Sequence, residues 1–326
     1  MKVLFIGGTG NISTASSRLA ISQGIELHLL NRGTQPNTID EAHSIRADIN
    51  DFRSIQNALE DQVWDCVVNW IAFNPSDINR DLELFMGKTK QYIFISSASA
   101  YQKPLTHPVI TESTPLKNPY WEYSRNKIDC ESILNSAYRS ADFPVTIIRP
   151  SLTYDTVIPV PLGGWKEYTI IDRIKSGRPV VIHGDGTSLW TITHSEDFAK
   201  ALIGLIGHPQ SIGHSFHITS DEILTWNEIY QILAGAVNKD LNSVHITSHL
   251  ICKHLPEMTG GLLGDKAESV IFDNTKIKQF VPDFQATIPF HRGIRKTLDW
   301  FQSNPTRMII KEETHQKIDD LIAACA

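Results

Sequence analysis

Four cysteines in 326 residues, at positions 66, 130, 252 and 325, are too few and too scattered for a disulfide framework or a thiolate metal site. No Cys-x-x-Cys pair occurs, and His183, His214 and His217 lack metal-ligand spacing, so no metal is expected. Unpaired cysteines fit a reduced, cytoplasmic compartment. No apolar run approaches the roughly 20 residues of a membrane helix. The opening Met1-Lys2-Val3-Leu4-Phe5-Ile6 breaks at Gly7-Gly8, too early for the apolar region of a secretory signal. Positive charge is also short. Thirty Lys and Arg against 36 Asp and Glu leave a net charge of −6, which argues against nucleic acid and anionic membranes as partners. Internal repeats and low-complexity tracts are absent.

What is present is an alternation of strand and helix patterns. Val3–Ile6 reads as a buried strand and Ser13–Gln23 as a helix stopped by Gly24. Strands follow at Glu26–Leu30, just before Ala47-Asp48, and at Cys66–Asn69, Tyr92–Ile95 and Val145–Arg149. Between them lie helices at Asp51–Leu59, around Ile78, Leu82 and Phe85, and at Trp121–Ser140. This order predicts an α/β fold, a Rossmann-type doubly wound parallel sheet, over residues 1–155. Past Pro150, the crowded Pro159, Pro161, Gly163 and Gly164 mark a loop. Residues 156–326 read as a smaller substrate lobe with segments completing the sheet: Val180–His183, a helix at Asp197–Ile206, Phe216–Ile218 and a helix at Trp226–Ala236. The last helix, near Lys311–Ala324, reads as peripheral.

Gly7-Gly8-Thr9-Gly10-Asn11-Ile12-Ser13 leaves the first strand and opens the first helix. In that context, glycines let backbone approach a pyrophosphate whose charge the helix N-terminus stabilises. Gly7, Gly10, Asn11 and Ile12 are therefore candidate cofactor contacts, although a Gly-rich turn without ligand has the same pattern. At the end of the second strand an NAD site usually offers a carboxylate to the ribose 2′-hydroxyl. Here Asn31-Arg32-Gly33 stands instead, and a guanidinium suits a 2′-phosphate, so NADP(H) is favoured over NAD(H).

Tyr123 and Lys127, four residues apart on a helix, project from one face. A phenol is a poor base at neutral pH, and a neighbouring ammonium is expected to bring its pKa down. The pair is common by chance, but this helix follows the fifth strand, where a parallel sheet presents its strand ends to ligand. That strand runs into Ser96-Ser97-Ala98-Ser99-Ala100-Tyr101, which offers hydroxyls to a reacting oxygen or is simply a polar loop.

These motifs, followed by Arg149-Pro150 and then Gly184-Asp185-Gly186 with His194 and Asp197, resemble the extended short-chain dehydrogenase/reductase superfamily, the NAD-dependent epimerase/dehydratase group. Five motifs occur in order, over the chain up to about Ser220. By position the resemblance makes Ser97, Tyr123 and Lys127 catalytic and gives Ser99 a substrate contact. It sets Asp48-Ile49 against the adenine, the Asn69-Trp70-Ile71-Ala72 stretch against the cofactor, and Pro150 over the nicotinamide. It also implies a homodimer built through two long helices per subunit. Two departures weaken a nucleoside-diphosphate substrate. Trp190 stands where an Arg usually grips the diphosphate, and Tyr154-Asp155 replaces Tyr-Gly. Trp190 either stacks on a substrate ring or packs.

The resemblance thus implies an NAD(P)-dependent epimerase, dehydratase or reductase acting on a hydroxyl or carbonyl of a small polar, sugar-derived molecule, with hydride moving at the nicotinamide. Asn31-Arg32-Gly33, the Ser run and the missing Arg also resemble the chloroplast stem-loop RNA-binding proteins, an RNA-associated rival that has no use for Tyr123 and Lys127. A third reading is an NADP(H)-binding sensor without turnover. His194 reads as a helix-start residue, and Trp121, Trp165 and Trp226 as packing groups, with Trp121 or Glu122 close enough to Tyr123 to line a pocket.

Overall fold

The computed structural model describes residues 1–33, 39–60 and 62–325. Its centre is a seven-stranded sheet of β1 (Lys2–Ile6), β2 (Glu26–Asn31), β3 (His43–Arg46), β4 (Cys66–Asn69), β5 (Tyr92–Ile95), β6 (Val145–Pro150) and β7 (Ser215–Ile218). Every pairing is parallel and the spatial order is β7-β6-β5-β4-β1-β2-β3. The order reverses between β1 and β4, the switch point at which open sheets of this kind bind ligands.

The central strands are continuous apolar runs because both faces are covered. On one face Val3, Phe5, Ile93 and Ile95 pack with Ala20 of α1 (Ser13–Ser22) and Phe198 and Leu202 of α5 (Ser195–Leu205). On the other, Leu4, Ile6 and Phe94 pack with Ile55 of α2 (Phe52–Ala58), Ile78 and Phe85 of α3 (Pro75–Phe85), and Cys130 and Leu134 of α4 (Glu122–Ala141). Asn74 starts α3 with a capping box closed by Asp77, with Pro75 in the first turn. The buried face of α4 is Ser124, Lys127, Cys130, Glu131 and Leu134, the i, i+3, i+4 spacing that aims Lys127 at the sheet.

The second half supplies both β7 and α5 to the sheet layers and builds a lobe with its own core, which includes Tyr154, Ile171, Trp190, Trp226, Tyr230 and Phe290. The final helix, Glu312–Cys325, is not peripheral. It buries Ile318 and Leu321, and its Asp319 pairs at 2.5 Å with the fully buried Arg173. A segment of short helical pieces, from Ser248–His254 to the π-turn Leu262–Lys266, carries the lobe back toward the carboxyl edge of the sheet.

Candidate active site

The loop after β1 turns on two left-handed glycines, Gly7 (φ 96°) and Gly8 (φ 100°). A methyl on Gly8 would come within 2.6 Å of Leu29, so close packing as well as backbone geometry requires glycine there. No side chain caps α1. The small position Ser13 accommodates its hydroxyl by accepting from Gly10 N at 2.8 Å. Asn11 bridges to the short strand Leu152–Tyr154 and the residue after it, donating to Thr153 O and accepting from Asp155 N, each at 3.1 Å. Asn31 reaches Gly7 O at 3.1 Å and steadies the loop. Arg32 is exposed at the end of β2. Arg46, in register with Asn31, lays its side chain across the Cα of Gly33, where a methyl would stand 3.0 Å from Arg46 Nε. Two guanidinium groups thus stand at this edge, and only Arg32 stands out in the sequence.

Ser97 ends the β5 run, accepts from Ser99 N at 3.2 Å and shares a 2.9 Å bond with Ser99 Oγ. Ser124 Oγ donates to Ser99 Oγ at 2.7 Å. Ser97 lines the same cavity as the Tyr123 phenol and favours its ionised form. Lys127 is buried, with Nζ donating to Ala72 O at 2.6 Å and Ile95 O at 2.7 Å. Its ammonium lies 4.8 Å from the centroid of Phe94 and 5.7 Å from that of Tyr123. The expected lowering of the phenol does not occur. Burial pushes Tyr123 up to about 12, outweighing the lowering influence of Ser97, and burial brings Lys127 down to about 8.

Ser97, Ser99, Tyr123, Ile12 and Pro150 line one cavity of about 460 Å³. Its other walls include Trp121, Trp165, Met258, Asp265 and Lys266. Trp165 is 44% exposed and holds a left-handed backbone (φ 60°) that a bulky residue seldom adopts, fixed by paired bonds with Ile158. Trp121 lies against Gly260 and Gly264 and 5.0 Å from the Tyr123 ring, joining the lobe to the phenol. Asp265 and Lys266 pair at 2.7 Å. Trp121 and Trp165 are thus cavity walls rather than mere packing groups. Asp265, Lys266 and Met258 carry no local signal that could have placed them here.

Several expected contacts point elsewhere. Trp190 is core, 2% exposed with its ring centroid 5.9 Å from that of Trp226, and stands behind the cavity-lining Lys266, whose ammonium sits 6.0 Å from its ring centroid. The Asn69 side chain is fully buried, bonded to Asp81 and accepting from Ile71 N at 2.8 Å, so it shapes the turn after β4 instead of facing the crevice. Ile49 and Ala72 are buried, Ala72 contributing its carbonyl to Lys127. Asp48 is exposed and accepts from Asn50 N at 3.0 Å. Arg149 forms a buried two-point pair with Glu131, 2.9 Å from Nε and 2.6 Å from Nη2, to which Ser96 adds a bond at 2.5 Å. Burial alone would lower the Arg149 pKa, but Glu131 raises it above its usual value. His194 caps α5 by accepting from Glu196 N, and Asp197 accepts from Thr287 N and Ile288 N, so both are structural.

A family model described as "NAD dependent epimerase/dehydratase family" matches residues 3–219. The chain is 22% identical over 286 residues to 2′-dehydrokanamycin reductase of Streptomyces kanamyceticus, covering 87% of this chain and 80% of that one. It is 24% identical over 249 residues to chloroplast stem-loop binding protein of 41 kDa b of Arabidopsis thaliana, spanning 72% of this chain and 63% of that protein. Among solved structures, dTDP-glucose 4,6-dehydratase from Bacillus anthracis, in complex with NAD, superposes with a TM-score of 0.73 at 18% identity, covering 94% and 98% of the two chains. Among the described residues no helix is long and apolar enough to cross a membrane.

Proposed function

Because the chain belongs to the NAD-dependent epimerase/dehydratase family, we propose that it interconverts a hydroxyl and a carbonyl on a small polar, sugar-derived molecule, with Tyr123 as acid/base and NADP(H) as the preferred cofactor. The observation that carries this reading is the meeting of Ser97 and Tyr123 on one cavity wall, next to the loop of Gly7–Ile12.

A dinucleotide fits the residues present. The left-handed glycines and the uncapped start of α1 suit a pyrophosphate, and Arg32 and Arg46 stand where a 2′-phosphate would be read. Lys127, with two donors on carbonyls, keeps a third for a ribose hydroxyl. When bound, the nicotinamide supplies or accepts the hydride.

The chain's own residues handle the proton. With its pKa near 12, Tyr123 carries its proton at neutral pH and donates it to a carbonyl oxygen held by the Ser97 hydroxyl. In the reverse direction the Ser97 hydroxyl favours the phenolate that accepts the alcohol proton, and the Lys127 ammonium stands 5.7 Å from the ring centroid. Among the described residues the cavity walls carry tryptophan and proline and no guanidinium, and Lys266 is already paired with Asp265. This favours a substrate without a nucleoside diphosphate. Two copies would pair through α3 and α4, which lie side by side. The RNA-associated reading rests on the likeness alone and leaves the Ser97–Tyr123 arrangement without a task.

The test is a pair of measurements on the wild type and Tyr123→Phe. Tryptophan quenching by NADPH and NADH is expected to be the same in both proteins, with NADPH tighter and Arg32→Ala erasing the difference. Reduction of a panel of keto-sugars, including 2′-keto aminoglycosides, is expected to fall by roughly 10²–10⁴ in Tyr123→Phe. Undiminished turnover without the phenol, or no binding of either nucleotide, refutes the reading.

A further inference from the structure

The sheet carries a second constellation at the far end of its strands, away from the cavity. Glu26 and His28 are two residues apart on β2 and so share a face, and His43 lies directly opposite His28 on β3. The two imidazoles stack with centroids 4.6 Å apart and planes 24° from parallel. His28 Nε2 is 2.9 Å from Glu26 Oε1. One ligand atom from each of the three side chains lies within 4.8 Å of the others. The buried Trp64 backs the site, its ring edge-on to His28 at 5.0 Å.

We propose that Glu26, His28 and His43 bind a divalent late transition-metal ion, Zn²⁺ by donor type, that ties edge strand β3 to β2. Two imidazoles and one carboxylate form a borderline donor set that suits Zn²⁺ and excludes Mg²⁺ and Ca²⁺, which take oxygen ligands. Tetrahedral coordination at ~2.0–2.1 Å needs donor atoms about 3.4 Å apart. Exposed Glu26 and His43 can close that gap by side-chain rotation, while His28, whose side chain is 15% exposed, stays fixed against Trp64. The 2.9 Å contact between His28 and Glu26 lies where the cation would sit, and water would fill the fourth position. The Lys2 ammonium, 4.7 Å from the Trp64 centroid, is a nearby opposing charge. His28, the member nearest the cofactor end of β2, lies three residues before Asn31, about 10 Å at strand rise, so the ion would serve the sheet edge and not the cofactor.

Untagged, EDTA-treated full-length protein is titrated with ZnCl₂ by calorimetry and with CoCl₂ by visible absorption. One equivalent should bind with micromolar affinity, with Co²⁺ giving tetrahedral d–d bands and Zn²⁺ raising the unfolding temperature. His28→Ala, His43→Ala and the exposed Glu26→Gln should each weaken binding, the histidine variants by roughly tenfold or more. His249→Ala, at an exposed histidine elsewhere, should bind like the wild type. Circular dichroism of the metal-free variants checks that they fold, and Glu26→Gln keeps the test alive if a histidine variant does not. Undiminished one-equivalent binding in the His28→Ala/His43→Ala protein, or no saturable binding below about 1 mM, overturns the proposal.

Discussion

Lys127 holds its ammonium 5.7 Å from the centroid of the Tyr123 ring, one helical turn away on α4, yet the phenol keeps a high pKa. Burial governs both groups, pushing the phenol up to about 12 and bringing the ammonium down to about 8. At pH 7 Lys127 is therefore charged and Tyr123 neutral.

Lys127 is protonated below about pH 8 and loses its charge as the pH rises through that value. If the charge holds ribose and supports phenolate, kcat/KM in the oxidative direction should carry a descending limb with an apparent pKa near 8. A profile that stays flat through that region would remove Lys127 from the proton chemistry.

Glu131 and Arg149 are 1% and 5% exposed in their side chains and satisfy each other at two points. Replacing Arg149 by Met should cost about 3–5 kcal/mol, since it strands a buried carboxylate. The Glu131→Met/Arg149→Met protein should be more stable than either single variant. Denaturant unfolding reads all three, and additive losses would argue against the pairing.

Gly293 is packed under a tyrosine. A methyl on its Cα would fall 1.9 Å from Tyr154 Oη and 2.9 Å from His194 Cδ2. Gly293→Ala should destabilise by about 1–3 kcal/mol or more despite alanine's better helix propensity, because Tyr154 is fully buried with nowhere to retreat. A lower melting temperature in scanning calorimetry is the expected result; a rise would contradict the packing.

Burial brings His183 down to about 4, with its Nε2 3.1 Å from Lys266 O and its ring 4.7 Å from Trp226. A histidine that folds neutral binds fewer protons than the unfolded chain between its two pKa values. Its contribution is present above about pH 6.5 and is lost as the pH falls toward 4. The buried His217 is shifted in the same direction by burial. Replacing His183 by Gln should flatten the acid slope of stability by about 3 kcal/mol at most across that window. An unchanged slope in urea titrations at pH 7, 6 and 5 would show that His183 does not carry it.

Cys66–Asn69, Tyr92–Ile95 and Trp226–Ala236 form where the sequence alone places them, because a doubly covered strand is a continuous apolar run and an amphipathic helix keeps its period. The same local rules put the phosphate loop after β1 and aim Tyr123 and Lys127 from one helical face. Packing between distant segments decided the rest. Trp190, Asn69 and Asn11 look alike as polar or aromatic residues near a site, but their neighbours take Trp190 and the Asn69 side chain inward and commit Asn11 to a contact with Thr153. Trp165 and Asp265 reach the cavity only through the lobe's path, and His28 meets His43 only because β2 and β3 pair in that register. Periodicity records what each residue does within its own element. It carries no information on which elements come to lie side by side, and the cavity walls and the histidine cluster depend on that.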